Sequence, residues 1–319
     1  MDTFRPLFTN SMEAGELNIA IVGAGKIAFT LTGALLQNGM NVCCVISRNY
    51  EAAHMLAKEY SIKNFSTELK DISPKANIII LSVTDNAISD VAEKIASTNT
   101  DLKNKLFLHL SGSLNSGELI SLKQKGAVTA SFHIMQTFPS KIQMPLKDRY
   151  AAVEAEDAET AKVLFRLAER IGLKPFGISA EKKTYYHLAS VIAVNFLSGN
   201  MFAAQKLFNK SGILLPSAEV LEPIIQTALN NIKETGAEKS LSGPVERHDL
   251  NTINKHLDVL KESVQKTGSD DIYNVLLVSY LAQSLFLVKT AEQKNGFSNS
   301  NKELNDILLN ELKKLLNSL

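Results

Sequence analysis

Residues 17–28 read Leu-Asn-Ile-Ala-Ile-Val-Gly-Ala-Gly-Lys-Ile-Ala, and this stretch decides the fold of the N-terminal half. An apolar run of strand length leads into Gly23, Gly25 and Ala28, spaced as G-x-G-x-x-A, and a helical pattern begins directly behind them. Gly23 permits a tight turn, Gly25 lets a pyrophosphate approach the backbone, and Ala28 lets the helix pack on the strand. The alternative is a glycine-rich turn in another kind of α/β unit. The motif predicts a dinucleotide-binding turn whose cofactor contacts are Gly23, Ala24, Gly25, Lys26 and Ile27.

Further apolar runs have the length and composition of buried parallel strands, at residues 41–46, 76–83, 106–110 and 127–132. In a doubly wound sheet, ligands bind beyond the carboxyl ends of the strands. Polar residues follow three of these runs, so we expect them to meet at one crevice. They predict cofactor contacts at Val83, Thr84, Ser111 and Gly112, with His133 beside the nicotinamide. For Thr84 and Ser111 the alternative is ordinary capping of a loop.

The residues after the second strand indicate which dinucleotide binds. Ser47, Arg48 and Asn49 stand about 20 residues beyond the second glycine, where an NAD-specific site usually has an acidic residue for the ribose 2′-hydroxyl. A hydroxyl, a guanidinium and an amide suit a 2′-phosphate instead. We therefore predict NADP as the cofactor, with the alternative that Arg48 is a solvated surface arginine.

The two halves of the chain differ in their periodicity. A strand at 150–154, a helix at 158–171 and a strand at 175–178 complete the α/β part. Only helical patterns follow, at residues 184–209, 217–234, 251–265, 271–293 and 300–319. The pattern predicts an α/β Rossmann-type nucleotide-binding domain over residues 1–180, followed by an all-α domain over residues 181–319 for substrate binding and dimerisation.

Three polar residues on the first long helix are candidates for catalysis. Lys183, His187 and Asn195 are separated by four and eight positions, which rotate by about 40° and about 80°, so they share a broad face. His187 could transfer a proton, because imidazole exchanges protons readily near neutral pH. His133 is the second candidate for that role. The alternative for His187 is a core histidine bonded to a backbone carbonyl.

The segment Leu-Ser-Gly-Pro-Val-Glu-Arg-His-Asp at residues 241–249 lies between two helical patterns. Arg247 could bind a substrate carboxylate through two hydrogen bonds, and Asp249 could orient it. Asp249 could equally be the cap of the next helix. We therefore predict Arg247 and Asp249 as substrate-binding residues, with capping as the alternative for Asp249.

The composition of the chain indicates which classes of partner it could bind and in which compartment it could function. The 319 residues carry 34 basic and 33 acidic side chains, which gives no broad cationic field for nucleic acid or an anionic membrane. Cys43 and Cys44 are adjacent, which favours free thiols in a reducing compartment over a structural bridge. Residues 1–16 show no secretion signal, so we expect a cytoplasmic protein. The histidine and cysteine spacings match no metal site.

Two helical patterns near the C-terminus are strongly apolar. The segment 275–288 is interrupted by polar residues and is shorter than the ~20 apolar residues that span a bilayer, so it predicts a buried helix. The segment 304–316 aligns leucines on one face. Together they carry more apolar surface than a small helical domain buries alone. We therefore predict a homodimer through the C-terminal helices, with packing inside one chain as the alternative for the last helix.

These motifs together resemble a family of bacterial Rossmann-like proteins whose C-terminal half is a helical domain of unknown function. The layout is similar to that of pyrroline-5-carboxylate reductase and of deazaflavin-dependent NADP reductases, and the helical half resembles the C-terminal domain of 6-phosphogluconate dehydrogenase. The resemblance rests on Gly-Ala-Gly-Lys-Ile-Ala from Gly23, Val-Thr-Asp from Val83, His-Leu-Ser-Gly from His109, Ser-Phe-His-Ile-Met-Gln-Thr-Phe from Ser131, His-Leu-Ala from His187 with Asn195, and Ser-Gly-Pro-Val-Glu-Arg-His-Asp from Ser242.

The sequence departs from this family at two positions. Ile134 stands where the family usually has proline, and His248 stands where it usually has glycine. The resemblance implies an NADP-linked oxidoreductase with a helical domain used for dimerisation, and it implies no particular substrate.

Two hypotheses of different classes follow from these residues. The first is a reductase that passes hydride between NADPH and a small carbonyl or imine substrate. The second is a non-catalytic NADP-binding protein that senses the cofactor and signals through a helical dimer surface. An enzyme needs a proton donor and a substrate anchor, whereas a sensor needs only the cofactor contacts. His187, Asn195 and Arg247 favour the enzyme.

Overall fold

The computed structural model describes residues 17–98, 102–267 and 271–317. The chain forms two compact units, of which the first ends at Val194 and the second begins at Asn195. The division lies later than the expected boundary after residue 180. Strand patterns stop before residue 180, but Lys183 on the following helix donates hydrogen bonds to Ser111 and Ser131 at the strand ends, which joins that helix to the first unit.

The described part of the first unit contains one sheet of eight strands. They are β1 Asn18–Val22, β2 Asn41–Ile46, β3 Phe65–Ser66, β4 Ile78–Leu81, β5 Leu106–His109, β6 Val128–Ile134, β7 Tyr150–Ala155 and β8 Lys174–Gly177. Across the sheet they lie in the order β3-β2-β1-β4-β5-β6-β7-β8. Neighbouring strands are parallel except for the antiparallel pair β6 and β7. The order of the first six strands is that of a Rossmann fold, which confirms the predicted fold class.

Helices cover both faces of this sheet, which explains why the central strands are continuously apolar. The α-helices described in this unit are α1 Lys26–Gln37, α2 Tyr50–Glu59, α3 Ile88–Thr98, α4 Ile120–Lys123, α5 Ala158–Arg170 and α6 Lys183–Ser190. One core cluster contains side chains from α1, α2 and α5, and the cluster on the other face contains side chains from α3 and α4.

Beyond α6, a π-helical segment at Val191–Asn195 leads into the helices of the second unit. They are α7 Phe196–Lys210, α8 Ser217–Thr235, α9 Ala237–Ser240, α10 Leu250–Thr267, α11 Asp271–Asn295 and α12 Asn299–Leu316. The sequence predicted one helix over residues 184–209, and the structure interrupts it with the π segment. Ser298 caps α12 by accepting a hydrogen bond from the Asn301 N–H, and the helix starts there.

The core of the second unit lies among α10, α11 and α12. Leu257, Leu281 and Leu304 are buried in it together with Leu276, Leu277, Val288 and Leu308. Much of the apolar surface that suggested a dimer face at 275–288 and 304–316 is therefore covered within one chain. The exposed apolar side chains of this unit are numerous on α7 and α8 instead, where they include Phe196, Phe202, Val220 and Ile224.

By length and composition alone, two helical stretches of the structure could cross a membrane, at Ala180–Lys210 and Ile272–Asn295. The second includes residues 275–288, whose apolar run is shorter than a bilayer requires. This is weak evidence for a membrane, since core helices of globular proteins pass the same test. Leu277, Leu281 and Val288 of α11 pack in the core of the second unit, as the buried-helix prediction requires.

Candidate functional site

Two cavities of about 620 Å³ and about 500 Å³ lie beyond the carboxyl ends of β1, β2 and β4. Both are lined by Gly25, Ser82, Val83 and Thr84. Eight of the predicted cofactor contacts line the larger cavity: Gly23, Ala24, Gly25, Ser47, Arg48, Asn49, Val83 and Thr84. Five of them line the smaller cavity: Gly25, Lys26, Ile27, Val83 and Thr84. The cavities are therefore lined by every predicted cofactor contact except Ser111 and Gly112.

The turn between β1 and α1 requires glycine at position 23. Its φ of +105° lies in the left-handed region, and a Cβ atom there would stand 2.2 Å from the Ser82 carbonyl oxygen. The Gly23 N–H donates to the Ile46 carbonyl oxygen at 2.7 Å, which fixes the turn against β2. This backbone geometry explains why the first position of the motif must be glycine.

Gly25 leaves room for a ligand and is not required by packing within the protein. A Cβ atom at this position would meet nothing closer than the Ser82 carbonyl oxygen at 3.9 Å, yet Gly25 lines both cavities. Gly25 is the N-cap of α1; within the described residues no side chain caps this helix, and its first turn carries no acidic residue. Uncapped N–H groups and the helix dipole favour an anion at this place. The site therefore fits a pyrophosphate.

The residues after β2 lie in the larger cavity as predicted, but they differ in what they contact. Arg48 is exposed and lines the cavity wall. The Asn49 side chain accepts a hydrogen bond from the Ala52 N–H at 2.9 Å, so it caps α2. Lys70 and Lys94 line the same cavity, and they were not predicted because they belong to no sequence motif.

Ser111 shapes the loop after β5 and lines neither of these cavities. It is buried, its hydroxyl donates to Asp85 Oδ2 at 2.7 Å, and its oxygen accepts from the Leu114 N–H at 3.1 Å. The Ser111 N–H donates to His109 Nδ1 at 3.2 Å, so the other ring nitrogen carries the proton and donates to the Asn115 carbonyl oxygen at 3.0 Å. These hydrogen bonds are those of the capping alternative for Ser111. Ser111 does not line either of the two cavities described, so its predicted contact with the cofactor stays a prediction.

Lys183 is fully buried and holds the loop and the sheet together. Its Nζ donates to the Ser111 carbonyl oxygen at 3.0 Å and to Ser131 Oγ at 2.6 Å. Burial lowers its pKa to about 8, while the charges of Glu154 and Asp85 oppose that shift. The ammonium therefore stays charged at neutral pH. Both of these hydrogen bonds are those of a residue that positions the loop and the sheet, and the predicted catalytic role of Lys183 stays a prediction.

His133, Tyr186 and His187 lie together beside the loop after β5, and we call these three side chains the aromatic cluster. His133 Nδ1 lies 2.7 Å from the Tyr186 hydroxyl, and the two imidazole rings meet edge to face at a centroid distance of 6.2 Å. A Cβ atom on Gly112 would stand 2.6 Å from His187 Cδ2 and 2.9 Å from His133 Nε2. Gly112 thus lets both rings approach the strand ends. Both histidines and Gly112 are predicted site residues, whereas Tyr186 was not predicted although it immediately precedes His187.

The aromatic cluster contains two groups that are neutral at pH 7. Burial lowers the pKa of His133 to about 4, and the nearby charges of Lys183 and His187 act in the same direction. Burial also raises the pKa of Tyr186 to about 12. His133 therefore acts as a neutral hydrogen-bonding group near pH 7, and Tyr186 keeps its proton.

Acidification below pH 6.5 is expected to lower the free energy of unfolding, because the folded state holds His133 neutral. Its pKa falls from 6.5 to about 4 on folding, so the unfolded chain binds more protons between those values. The contribution of neutral His133 to the free energy of unfolding is fully present above pH 6.5 and is lost as the pH falls towards 4. The free energy of unfolding should fall by about 1 to 2 kcal/mol between pH 7 and pH 5. Lys183, His187, Asp85 and Tyr186 are the charged and titratable groups facing this ring. Urea unfolding at both pH values measures the loss.

The control for this prediction is His133→Gln, which has an amide in place of the titrating ring. Its unfolding free energy should depend less on pH than that of the unmodified protein over the same range. An equal pH dependence in both proteins would show that His133 titrates normally in the folded state.

Asn195, Arg247 and Asp249 belong to the second unit. Asn195 and Arg247 are exposed. Asp249 accepts hydrogen bonds from the Thr252 N–H at 3.0 Å and from the Thr252 hydroxyl at 2.7 Å, so it caps α10. The capping alternative for Asp249 is therefore the one that the structure shows. Across residues 17–98, 102–267 and 271–317, no group of three or more histidine, cysteine, aspartate or glutamate side chains could hold a metal ion.

The two departures from the family pattern have local explanations. His248 has a φ of 55°, a left-handed conformation that glycine adopts more readily, and its ring hydrogen-bonds the buried Asn301 side chain. This hydrogen bond stabilises the left-handed conformation of His248, at a position where the family usually has glycine. Ile134 is buried and is the last residue of β6, where it pairs with Ala151 of β7. The strand thus extends through the position of the family's proline.

The sequence matches two family models in the order expected. Residues 18–111 match the NADP oxidoreductase, coenzyme F420-dependent family, and residues 149–279 match a domain of unknown function, DUF2520. These matches confirm the predicted combination of a Rossmann-type NADP domain with a helical domain of unknown function, and they confirm NADP as the cofactor. No curated protein matches the chain significantly.

Solved structures share this architecture. A candidate NADP oxidoreductase from Bacteroides fragilis has 24% sequence identity and a TM-score of 0.69, over 89% of this chain and 100% of its own. A protein from Thermotoga maritima has 26% identity and a TM-score of 0.62, over 86% and 99%. The imine reductase from Myxococcus stipitatus in complex with NADP+ has 15% identity and a TM-score of 0.56, over 93% and 94%. Residues 18–111 thus match an NADP oxidoreductase family, and these structures share the fold of the chain.

Proposed function

We propose that this protein is an NADP(H)-dependent oxidoreductase that transfers hydride to or from a small carbonyl or imine substrate. The observation that carries the proposal is Gly25, which opens both cavities at the uncapped N-terminus of α1. The imine reductase with a similar fold supports the choice of substrate class. When bound, the cofactor supplies the hydride.

The protein itself must supply a proton next to the carbon that accepts hydride. We assign this role to His187, whose ring is half-buried and approaches Gly112 beside the strand ends. His133 and Tyr186 hold each other through their hydrogen bond and present neutral groups to the same place. Asn195 stays a proposed catalytic residue, and the exposed guanidinium of Arg247 stays a proposed anchor for a substrate carboxylate.

The proposal is tested by screening aldehydes, ketones and preformed imines with NADPH and following the loss of reduced cofactor. Saturable turnover of at least one compound is the expected result. Tight NADPH binding without turnover of any carbonyl or imine would favour the non-catalytic sensor instead. Failure to bind NADPH at all would contradict both functions.

Arg48→Ala is expected to remove most of the preference for NADP(H) over NAD(H). The Arg48 side chain lines the cavity that follows β2, where it can pair with a 2′-phosphate. Loss of one charge-assisted contact should weaken NADPH binding by about 1.5 to 3 kcal/mol and leave NADH binding unchanged. Calorimetric titration of both cofactors measures this. Equal affinities for the two cofactors in the unmodified protein would contradict the prediction.

We also propose a homodimer that buries apolar side chains of α7 and α8. Phe202 and Ile224 are 54% and 65% exposed, and the helices that carry them are joined by hydrogen bonds from Ser217 to Gln205 and Met201. A second copy of the chain would cover this surface. Phe202→Asp with Ile224→Asp should give a monomer by light scattering, while Leu316→Asp on α12 should stay dimeric. A monomer in the unmodified protein at micromolar concentration would contradict the proposal.

We place the protein in the cytoplasm, because Cys43 and Cys44 are free thiols and such thiols persist in a reducing compartment.

A further inference from the structure

The two cavities at the strand ends suit different halves of a dinucleotide. Both are lined by Gly25 and by residues 82–84, whereas Arg48, the proposed partner of the 2′-phosphate, lines the larger one alone. A dinucleotide whose pyrophosphate lies at Gly25 extends in both directions from that point. With its adenosine half in the larger cavity, its nicotinamide half enters the smaller one. The volume of about 500 Å³ is that of an ordinary small-molecule pocket.

The smaller cavity carries charges of both signs. Among the described residues that line it, the charged ones are Lys26 at the start of α1 and Asp85 beyond the end of β4. Lys26 directly follows Gly25, and its positive charge suits a pyrophosphate there. Asp85 is exposed and does not line the larger cavity. A carboxylate accepts hydrogen bonds, donates none and repels phosphate, so Asp85 suits a neutral group with O–H or N–H donors.

The Asp85 carboxylate is held by the loop after β5. Its Oδ2 accepts hydrogen bonds from the Ser111 hydroxyl at 2.7 Å and from the Ser113 hydroxyl at 3.2 Å. Both hydrogen bonds described for this side chain therefore end on one oxygen, which leaves Oδ1 for a ligand. Ser111 is buried, and its oxygen accepts from the Ser113 and Leu114 N–H groups, which fixes its hydroxyl. A carboxylate held in this way needs little reorientation when a ligand binds.

We propose that Asp85 Oδ1 accepts hydrogen bonds from the hydroxyl groups of the ribose that carries nicotinamide, an assignment that rests on the proposed function. This ribose is attached directly to the pyrophosphate, and Asp85 lines the same cavity as Gly25. In NAD-specific proteins an acidic residue after the second strand holds the adenosine ribose by the same chemistry. Here Arg48 stands after β2, and the carboxylate serves the ribose of the other half.

Calorimetric titration with three ligands of increasing length tests this assignment. 2′-Phospho-ADP ends at the pyrophosphate, 2′-phospho-ADP-ribose adds the ribose, and NADPH adds the dihydronicotinamide ring. Asp85→Asn keeps one oxygen as an acceptor but loses the charge. It should bind 2′-phospho-ADP-ribose and NADPH about tenfold or more weakly than the unmodified protein does, the effect of losing a charge-assisted hydrogen bond. It should bind 2′-phospho-ADP equally well or better, since that ligand lacks the ribose.

Three results would overturn the assignment. The first is unchanged NADPH affinity in Asp85→Asn. The second is an equal loss of affinity for all three ligands, because 2′-phospho-ADP has no group for Asp85 to bind. The third is a loss for NADPH alone, because the carboxylate would then contact the nicotinamide ring and not the ribose.

Two further variants separate this contact from effects on the fold and on the net charge. Asp85→Ser has a short neutral side chain and should show the same difference among the three ligands. Glu93→Gln removes one negative charge from an exposed residue of α3 that lines neither cavity, so its three affinities should stay unchanged. Thermal unfolding checks that each variant folds. A loss in Glu93→Gln as large as that in Asp85→Asn would overturn the assignment.

The same titrations distinguish this assignment from the proposed function. If the unmodified protein binds neither NADPH nor 2′-phospho-ADP, the proposed function and the assignment both fail. If it binds NADPH and reduces a substrate while Asp85→Asn binds NADPH equally well, the proposed function stands and the assignment of Asp85 is wrong.

Discussion

Replacing Gly25 with valine is expected to weaken NADPH binding by about 100-fold, or roughly 3 kcal/mol, while the fold survives. The new side chain would enter the two cavities at the N-terminus of α1 and fill the room proposed for the pyrophosphate. The protein itself offers little obstruction, since the nearest atom to a Cβ at this position is 3.9 Å away. Calorimetric titration measures the affinity, and thermal unfolding checks the fold.

Gly23→Ala is the matched comparison for this experiment. Its Cβ would collide with the Ser82 carbonyl oxygen, and its φ of +105° is unfavourable for alanine. Because of this strain, the substitution should lower the free energy of unfolding by about 2 kcal/mol or more. The Gly25→Val variant has no such strain. Normal NADPH affinity in the Gly25→Val protein would show that the cofactor does not approach this turn.

His187→Ala is expected to lower turnover by ~10²-fold or more and to leave NADPH affinity nearly unchanged. The reason is that His187 belongs to the aromatic cluster and approaches Gly112, and it lines neither of the two cavities proposed to bind the cofactor. Steady-state kinetics on a substrate found by the screen, with calorimetric titration of NADPH, separates the two effects.

His133→Ala and Tyr186→Phe complete the test of the aromatic cluster. If turnover survives His187→Ala and falls with His133→Ala, the two histidines have exchanged roles. If turnover falls only with Tyr186→Phe, the phenol is the proton donor. If all three variants turn over normally, the proton comes from elsewhere and the cluster is structural.

The N-terminal half was predictable because its signals are local. The run that ends at Gly23 and Gly25 contains a strand, a turn and the start of a helix, so a few adjacent residues determine the local geometry. The two-residue strand Phe65–Ser66 was not predictable, since a strand of that length has no periodicity. For the same reason, the sequence did not predict that Lys70 and Lys94 line the cavity, because their positions depend on that short strand and on α3.

The positions of Lys183 and Asn195 relative to each other could not be obtained from helical spacing. The arithmetic of 3.6 residues per turn fails across Val191–Asn195, because a π-helical segment turns less per residue. Lys183 and His187 do face the same loop, but one reaches the Ser111 carbonyl oxygen and the other stands against Gly112. Spacing along a helix cannot distinguish a buried positioning cation from a catalytic one, because the difference lies in contacts with β5 and β6.

The position of Gly112 between two imidazole rings has a consequence for how the sequence can evolve. Any side chain at residue 112 needs space that the rings of His133 and His187 now occupy. Substitutions at these three positions should therefore be coupled across homologous sequences. Chains with alanine or a larger residue at position 112 should have a smaller side chain at 133 or at 187, and chains that keep both rings should keep glycine.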